Sequence, residues 1–376
     1  MAANRSKTAL VLTGGGIMGA AYEIGALTAL DRLFARGFSS RRFDIYLGIS
    51  AGSVIATLMA NRIPADGLFS AISSNRRSVF NWQRRDIYQP DWRVLLRTLG
   101  ELPRKLLQVR RNYRHNRWVF NPRDVPHLLF EQFPSGVFSL EPMQRYLCHA
   151  FRTEGVCDDF SCLKSELYIP AYDLDRGTRV VFGTPEHRSM HICQAITASC
   201  AIPLFFRPYQ IDGQSYVDGS SGLVTHLDIA VERGARLIVL VNPRVPIDND
   251  PERACLPALS SGRCSSVADL GILFTWEQTQ RIEAREKLRL ALDFYRQKHP
   301  DIDILLIEPG SDEALLFFQG PMSSQARTQV MHHGYALTLA ALRETYPALA
   351  GIFARHGIAT TADRLHAEPP EMPTPP

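Results

Sequence analysis

The stretch Gly48-Ile-Ser-Ala-Gly52 contains a serine whose surroundings suit nucleophilic chemistry. It has the form GxSxG and follows the apolar run FDIYL. A serine on a sharp strand-to-helix turn exposes its hydroxyl, and the flanking glycines relieve the crowding that such a turn creates. A serine that merely caps a helix gives the same pattern, so Ser50 needs support from elsewhere in the chain.

A glycine-rich loop precedes this serine by one predicted structural unit. Gly14, Gly15 and Gly16 follow the apolar run TALVLT, and Gly19 lies within the helix that opens after them. Glycines allow a tight turn that bares backbone N–H groups at a helix N-terminus, and such groups bind anions. For a nucleophile at Ser50, these groups would form an oxyanion hole.

The same glycines also match the dinucleotide-binding pattern GxGxxG, which predicts a nucleotide-binding module instead. That fold requires an acidic residue at the end of the second strand to bind a ribose. The chain has Gly48-Ile-Ser50 at that place, and Asp44 lies at the start of the strand. The oxyanion-hole interpretation is therefore favoured over nucleotide binding.

A serine hydroxyl needs a base, and two arrangements are open. A Ser–His–Asp esterase would use one of the eleven histidines, but none lies in a motif, and His226, His332 and His333 all fall in predicted helices. Asp218-Gly219 ends a predicted short strand, which would place a carboxylate at a turn. The nearby Asp212-Gly213 is typical of an ordinary turn.

The elements around these residues alternate between strand and helix, which predicts a parallel sheet in an α/β fold. The carboxyl ends of parallel strands meet at one sheet edge, so the glycine loop and Ser50 should be neighbours. The predicted strands are Thr8–Thr13, Phe43–Leu47, Leu167–Tyr172, Arg179–Phe182, Ser215–Val217, Leu237–Val241 and Asp303–Ile307. The predicted helices are Gly19–Arg36, Ser50–Asn61, Ile192–Ser199, Leu223–Arg233, Gln278–Lys298 and Gln325–Arg343.

Taken together, GGGIMG, GISAG and DGS, in this order and spacing, resemble the patatin-like phospholipases. YEIGALTAL and AITASCAIPLFFRPYQIDGQSYVDGS extend the resemblance, which covers roughly residues 8–240. It implies a three-layer α/β/α fold with a mostly parallel central sheet and an inserted helical lid. It also implies hydrolysis of phospholipids, lysophospholipids or related acyl lipids through an acyl-enzyme, without metal or cofactor.

The resemblance assigns the site residues by position. Ser50 would be the nucleophile and Asp218 the base of a Ser–Asp dyad, with the N–H groups of Gly14, Gly15 and Gly16 as the oxyanion hole. Gly19, Gly48, Gly52 and Gly219 would support these motifs. The chain departs from the family pattern at Met18, where a basic residue is common, and at Ser220, where glycine or alanine is usual.

The chain divides by composition into a catalytic domain at 1–345, with a basic, aromatic-rich insertion at 76–140, and a Pro-rich tail at 346–376 expected to be mostly disordered. Residues 76–123 hold thirteen Arg or Lys and three acidic residues, although the whole chain has a formal charge of only +4. A leucine stripe opposite arginines predicts one of two arrangements. The segment is either a lid that contacts anionic lipid or a helix whose leucines pack on the protein while its arginines are solvated. No nucleic-acid partner is expected.

The remaining composition points to a cytoplasmic protein, with peripheral membrane contact open. No apolar run reaches the roughly 20 residues that span a bilayer, and no signal peptide precedes the first motif. The seven cysteines show neither CxxC pairs nor zinc-ligand spacing, which favours reduced thiols over a disulfide framework.

Overall fold

The computed structural model describes residues 5–74, 134–250, 262–313 and 324–366, with isolated positions at 89–90, 100, 104, 108, 111, 252 and 255–258. Most of the predicted insertion at 76–140 and the end of the predicted tail lie outside the described residues. Both glycine motifs and Asp218-Gly219 lie within them.

The described strands form one large sheet and one small sheet. In chain order the strands are β1 Thr8–Leu12, β2 Ile45–Gly48, β3 Gln89–Pro90, β4 Gly136–Ser139, β5 Glu166–Asp173, β6 Thr178–Phe182, β7 Leu204–Phe206, β8 Tyr209–Ile211, β9 Gln214–Val217, β10 Leu237–Val241 and β11 Asp303–Ile307. The large sheet has the order β11-β10-β1-β2-β5-β9-β8, with β6 paired to β5. The first five strands are parallel, and β6, β8 and β9 pair antiparallel.

The centre of the sheet explains why its strands are easy to recognise in the sequence. Every residue of β1 and β10 is buried, as expected for strands covered on both faces by helices. In the parallel register, Leu12 pairs with Val241 on one side and with Gly48 on the other. The loops that follow β10, β1 and β2 therefore meet at one edge of the sheet.

Helices cover both faces of this sheet. They are α1 Gly16–Leu33, α2 Ala51–Ala60, α3 Ala65–Ser73, α4 Glu141–Glu154, α5 Ile192–Ser199, α6 Leu227–Glu232, α7 Ile272–Lys298 and α8 Ser324–Arg355. Leu10 and Leu12 point into the core shared with α1, α2 and α8. Ala9 and Val11 point into a second core with α6 and α7. The predicted three-layer α/β/α fold with a mostly parallel sheet is thereby confirmed.

Three helix boundaries differ from the sequence-based predictions by four residues or more. The helix predicted at Leu223–Arg233 begins only at Leu227, after a 3₁₀ turn at Gly219–Ser221, and α7 begins six residues before Gln278. The last helix continues through Pro347 to Arg355 instead of ending at Arg343. Proline removes a backbone donor and usually disrupts a helix interior, so this helix continues past a residue that disfavours it.

The prediction of a mostly disordered tail from residue 346 therefore places the start of the tail too early. Phe353 is fully buried and makes an edge-to-face contact with Phe34, their ring centroids 5.2 Å apart. Ile358 and Leu365 are also buried, beyond the end of α8. These apolar side chains anchor the segment up to residue 366, and within the predicted tail the structure describes no residue after it. The folded domain therefore extends at least to residue 366.

The end of the predicted insertion also belongs to the folded domain. Strand β4 lies within 76–140, and it pairs in parallel with β7 and antiparallel with β3. Gly136 allows the approach, because a Cβ there would lie 2.2 Å from the carbonyl carbon of Phe206. The folded domain therefore includes the residues from 136 onward that the prediction had assigned to the insertion.

The prediction of reduced thiols is wrong for six of the seven cysteines. Disulfides join Cys148 to Cys193, Cys157 to Cys162 and Cys255 to Cys264, and Cys200 is buried as a free thiol. The pairs are 45, 5 and 9 residues apart in sequence. The fold brings them together, and spacing alone does not reveal such pairings.

Among the described helices, none is both long and apolar enough to cross a lipid bilayer.

Candidate active site

Ser50 lies on the sharp turn between β2 and α2. Its backbone has φ 52° and ψ −132°, a conformation that side-chain-bearing residues rarely adopt. Its N–H donates to Ser199 Oγ at 2.9 Å, and that hydroxyl donates to the carbonyl of Pro170 at 2.7 Å. The strained turn is therefore tied to the end of α5 and to β5, which fixes the direction of the serine side chain.

The two glycines of GISAG are required by close packing around this turn. A Cβ on Gly48 would lie 2.4 Å from the Cα of Ser53, and a Cβ on Gly52 would lie 2.6 Å from the carbonyl oxygen of Leu12. Neither distance is possible for a real side chain. The motif thus brings the start of α2 directly against the end of β1 and the glycine loop.

The glycine loop packs against the serine turn, as the parallel strand order predicts. Gly14, Gly15 and Gly16 all have positive φ, at 74°, 112° and 68°. A Cβ on Gly14 would lie 2.4 Å from the carbonyl oxygen of Ile49, and a Cβ on Gly19 would lie 2.2 Å from the carbonyl oxygen of Gly14. Only glycine permits this run of left-handed residues at such close range.

The prediction that Gly14 supplies an oxyanion donor is wrong. Its N–H donates to Glu23 Oε1 at 2.8 Å, so it points away from any substrate. Glu23 is fully buried beneath the loop, and burial raises its pKa to about 8 despite the hydrogen bond from Gly14. Gly14 and Glu23 therefore shape the loop from beneath.

Gly15 and Gly16 remain candidate oxyanion donors, together with one candidate that the sequence reasoning missed. The N–H groups of Gly15, Gly16 and Ala51 donate to no acceptor in the described part of the chain. Gly16 and Ala51 are the first residues of α1 and α2, so these N–H groups have no intrahelical acceptor. Ala51 follows the nucleophile, which is where an elbow usually contributes a donor.

Asp218 lies at the end of β9, with its carboxylate buried. Oδ1 accepts hydrogen bonds from Ser220 N at 2.8 Å and from Ser220 Oγ at 2.6 Å. Oδ2 is buried and has no hydrogen-bond partner among the described residues. Burial raises the pKa of Asp218, and the Ser220 and Ser50 side chains and the Arg244 charge lower it.

The structure brings Ser50 and Asp218 together. The Ser50 hydroxyl is near enough to lower the pKa of Asp218, yet Oδ2 lacks a partner of hydrogen-bonding geometry. The two groups therefore approach closely without a formed hydrogen bond, as is common in sites without substrate. The free Cys200 thiol is also near both groups, because burial raises its pKa, the Asp218 charge raises it further, and the Ser50 hydroxyl lowers it.

Gly219 completes the aspartate turn, and Ser199 serves both halves of the site. A Cβ on Gly219 would lie 2.3 Å from the carbonyl oxygen of Pro170 and 3.0 Å from Ser199 Oγ. The same Ser199 hydroxyl accepts from the Ser50 N–H. The Ser50 turn and the Asp218 turn are thus positioned on one support, Pro170 with Ser199.

None of the three candidate histidines contacts the Ser50 hydroxyl or the Asp218 carboxylate. His226 is buried, its Nε2 donates to the carbonyl of Gly219 at 2.9 Å, and its Nδ1 accepts from Arg179 at 3.2 Å. Burial lowers its pKa to about 4. His332 bonds Ser73, and His333 pairs with Glu313. None of these three histidines is therefore in place for the Ser–His–Asp alternative.

Arg244 is a charged neighbour of the site that the sequence reasoning missed. A Cβ on Gly15 would lie 2.9 Å from Arg244 Cγ, and Arg244 Nη1 donates to Ser220 Oγ at 3.1 Å. The buried Met18 of α1 provides no charge at the glycine loop. Arg244 follows β10, and the parallel pairing of β10 with β1 was the signal that could have located it.

The described side chains that could together bind a metal ion do not include Ser50 or Asp218. Among the described residues, one group of side chains could hold a metal ion, and it consists of Cys148, Asp158 and Cys193. Two of these are joined in a disulfide. The nucleotide-binding alternative also lacks its acid, since Asp44 precedes β2 and accepts from Thr8 N at the opposite sheet edge.

Comparisons with known proteins place the chain in a family. The family model described as patatin-like phospholipase matches residues 10–229, which include both glycine motifs and Asp218-Gly219. No curated protein matches the chain. Similar solved structures are VipD from Legionella pneumophila (13% identity, 91% of this chain, 67% of that chain, TM-score 0.36) and the type III effector ExoU (14% identity, 96% of this chain, 55% of that chain, TM-score 0.38). The family model covers more than half of the chain, which therefore belongs to the patatin-like phospholipases, a family of lipid acyl hydrolases.

Proposed function

We propose that this protein hydrolyses carboxylic ester bonds of phospholipids, lysophospholipids or related acyl lipids with a Ser50–Asp218 dyad. One observation carries the proposal: the buried Asp218 has one oxygen saturated by Ser220 and the other unoccupied beside the Ser50 hydroxyl. A carboxylate in this arrangement can accept a proton from the serine. The histidines that could replace it are held by other groups.

In the acylation half-reaction, Ser50 Oγ attacks the carbonyl carbon of the ester and its proton passes to Asp218 Oδ2. The carbonyl oxygen becomes an oxyanion, which accepts hydrogen bonds from the N–H groups of Gly15, Gly16 and Ala51. The bond between the carbonyl carbon and the alcohol oxygen then breaks. Asp218 returns the proton to the departing alcohol, leaving an acyl-Ser50 ester.

In the deacylation half-reaction, water replaces the alcohol and the same groups act again. Asp218 accepts a proton from water as it attacks the acyl carbon, and the oxyanion forms at the same place. When the bond to Ser50 Oγ breaks, Asp218 returns this proton to the serine, and a fatty acid leaves. One carboxylate serves both steps because it is alternately base and acid, so the scheme needs no metal or cofactor.

Burial and hydrogen bonding shift the pKa of the proposed base, Asp218, in opposite directions. Burial raises the pKa of Asp218, which makes its carboxylate a stronger base. The Ser220 hydrogen bonds and the Arg244 charge lower the pKa, which favours the ionised carboxylate. The oxyanion donors would each contribute about 3–4 kcal/mol to lowering the barrier.

A lipid panel tests this function. Purified protein is incubated with phosphatidylcholine vesicles, lysophosphatidylcholine micelles and a short-chain p-nitrophenyl ester, and released fatty acid or nitrophenol is measured. We expect ester hydrolysis that is abolished by Ser50→Ala and retained by His226→Gln, His332→Gln and His333→Gln. Loss of activity in one histidine variant that remains folded would favour a Ser–His–Asp esterase and contradict the dyad.

We also propose that residues 76–123 bind an anionic membrane surface, on the ground of their charge. The segment has thirteen Arg or Lys and three acidic residues, and each basic residue near an anionic bilayer contributes roughly 1 kcal/mol. Sedimentation with vesicles tests this. Binding to phosphatidylglycerol vesicles should exceed binding to phosphatidylcholine vesicles and should weaken in high salt. Equal binding to both would contradict it.

A further inference from the structure

Ser220 connects the proposed base to a cation. Its hydroxyl has one proton, which it donates to Asp218 Oδ1 at 2.6 Å, and its lone pairs remain to accept from Arg244 Nη1 at 3.1 Å. The direction of this chain is therefore fixed, from guanidinium to hydroxyl to carboxylate. Each link involves an ionised group, and such hydrogen bonds are stronger and better oriented than neutral ones.

The hydrogen-bond series from Arg244 through Ser220 to Asp218 occupies only one of the two carboxylate oxygens of Asp218. Oδ1 accepts from both the backbone and the side chain of Ser220, whereas Oδ2 remains without a partner in the described structure. Two donors on one oxygen prevent the carboxylate from rotating. They also prevent Oδ1 from competing with Oδ2 for the proton of Ser50.

We propose that Ser220 and Arg244 form a positioning relay that holds Asp218 so that Oδ2 faces the Ser50 hydroxyl. The relay rests on the proposed dyad and adds two residues to it, neither of which touches the reacting atoms. Ser220 holds Asp218 directly. Arg244 acts through Ser220, and its side chain is itself held against the glycine loop at Gly15.

Other groups face the relay, and they set the limits of its effect. Ser50 and the Cys200 thiol approach Asp218 from the α2 turn and the end of α5. Glu277 of α7 approaches Arg244 and is bonded to Arg281, so the cation lies beside a carboxylate that offsets part of its charge. His226 bonds the carbonyl of Gly219 and carries no proton on Nδ1. Replacing Ser220 should therefore change the pKa of Asp218 more than replacing Arg244.

A direct role for Arg244 is the competing explanation, since a guanidinium beside the oxyanion loop could bind a substrate phosphate. The two roles differ in what they predict. A phosphate-binding arginine affects phospholipids more than neutral esters, and Ser220→Ala would not reproduce its loss. A relay affects both substrate types equally, and its two residues are not independent.

The pH dependence of kcat/KM is measured for Ser220→Ala, Arg244→Gln and the double variant, with p-nitrophenyl butyrate and with phosphatidylglycerol vesicles. Removal of either group raises the pKa of Asp218. The acidic limb of the pH profile, where kcat/KM rises as Asp218 loses its proton, therefore moves to higher pH. We expect a shift of roughly one pH unit for Ser220→Ala, hence about tenfold lower kcat/KM below the limb, and a smaller shift for Arg244→Gln. The double variant should shift the limb by less than the sum of the two single shifts, because Arg244 acts partly through Ser220, and Ser220→Thr should restore the limb.

Two matched controls isolate the relay. Ser221→Ala removes the neighbouring exposed hydroxyl, and Arg236→Gln removes an arginine at the opposite end of β10. Neither should move the limb. If Ser220→Ala leaves it in place while Ser50→Ala abolishes turnover, the relay is wrong and the dyad stands. If Arg244→Gln impairs only the phospholipid, Arg244 binds substrate and the relay is wrong.

A measurement that needs no turnover separates failure of the relay from failure of the proposed function. The carboxyl ¹³C resonance of Asp218 is identified by its loss in Asp218→Asn and is titrated in wild type, Ser220→Ala and Arg244→Gln. The relay predicts a higher pKa of Asp218 in both variants. Unchanged titration in both would overturn the relay even if the protein hydrolysed no ester.

Discussion

Two Asp-Gly pairs lie six residues apart in this chain and have opposite environments. Asp212-Gly213 is exposed and joins β8 to β9, with φ 49° at Asp212 and 80° at Gly213. Positive φ at both residues is what a two-residue hairpin requires, and Asp-Gly is a favoured sequence for it. A Cβ on Gly213 would meet nothing within 4 Å. This pair shapes a surface turn.

Asp218-Gly219 is buried, and its glycine is required by contact with Pro170. Its aspartate is held by Ser220 and lies beside the nucleophile. The comparison teaches that the dipeptide predicts a turn in both cases, while burial, neighbours and the sheet edge decide which turn can do chemistry. Matched substitutions in the two pairs test this difference.

The largest expected effect is on activity. Asp218→Asn should lower kcat/KM by about 10⁴-fold, because an amide cannot accept the serine proton and replacing the aspartate of a Ser–His–Asp triad has a cost of this size. Asp212→Asn should leave kcat/KM within twofold. Esterase assays at neutral pH measure both. Equal losses in the two variants would mean that Asp218 acts through folding, as any turn residue does.

An intermediate effect is expected from the glycines. Gly219→Ala should lower kcat by about 10²-fold, because its Cβ forces the turn away from Pro170 and a displacement near 1 Å misaligns the base. Gly213→Ala should leave kcat unchanged and reduce the free energy of unfolding by about 1–2 kcal/mol through its positive φ. Steady-state kinetics and chemical denaturation separate the two outcomes. Full activity in Gly219→Ala would contradict the packing argument.

The smallest effect concerns the pH dependence of stability. Since burial raises the pKa of Asp218, the folded protein keeps this proton at a pH where the unfolded chain has lost it. The free energy of unfolding therefore falls as pH rises from the ordinary aspartate range through the raised pKa, by up to about 1.4 kcal/mol per pH unit.

Denaturation of wild type, Asp218→Asn and Asp212→Asn across the acidic range checks this slope. Asp218→Asn should remove one proton's contribution to it, and Asp212→Asn should follow wild type. A variant Asp218→Asn with the wild-type slope would show that the carboxylate is not desolvated in the folded protein.

Much of the fold and the meeting of the motifs could be predicted from the sequence. β1 and β10 are continuous apolar runs that end in glycine or polar residues, and parallel order brings their carboxyl ends to one edge. The glycine loop, Ser50 and Asp218 follow β1, β2 and β9 directly. Short-range pattern and parallel order were sufficient for the glycine loop and Ser50, whereas β9 pairs antiparallel and the place of Asp218 beside Ser50 was implied only by the family resemblance.

Other features depend on contacts that no local pattern encodes. Glu23 reaches back nine residues to take the Gly14 N–H, which removes one predicted oxyanion donor. Ser199 reaches the nucleophile only because α5 ends beside β5. The continuation of α8 past Pro347 depends on the packing of Phe353 against Phe34. Tertiary packing overrides local propensity at such places.

The most direct test of the central claim is covalent labelling of the serine. Wild type, Ser50→Ala and Asp218→Asn are treated with a fluorophosphonate, with detergent or vesicles present, and intact mass is measured over time. The account predicts one adduct on wild type, none on Ser50→Ala and strongly slowed formation on Asp218→Asn. An adduct that persists in Ser50→Ala, or wild-type labelling rates in Asp218→Asn, would contradict a nucleophile at Ser50 activated by Asp218.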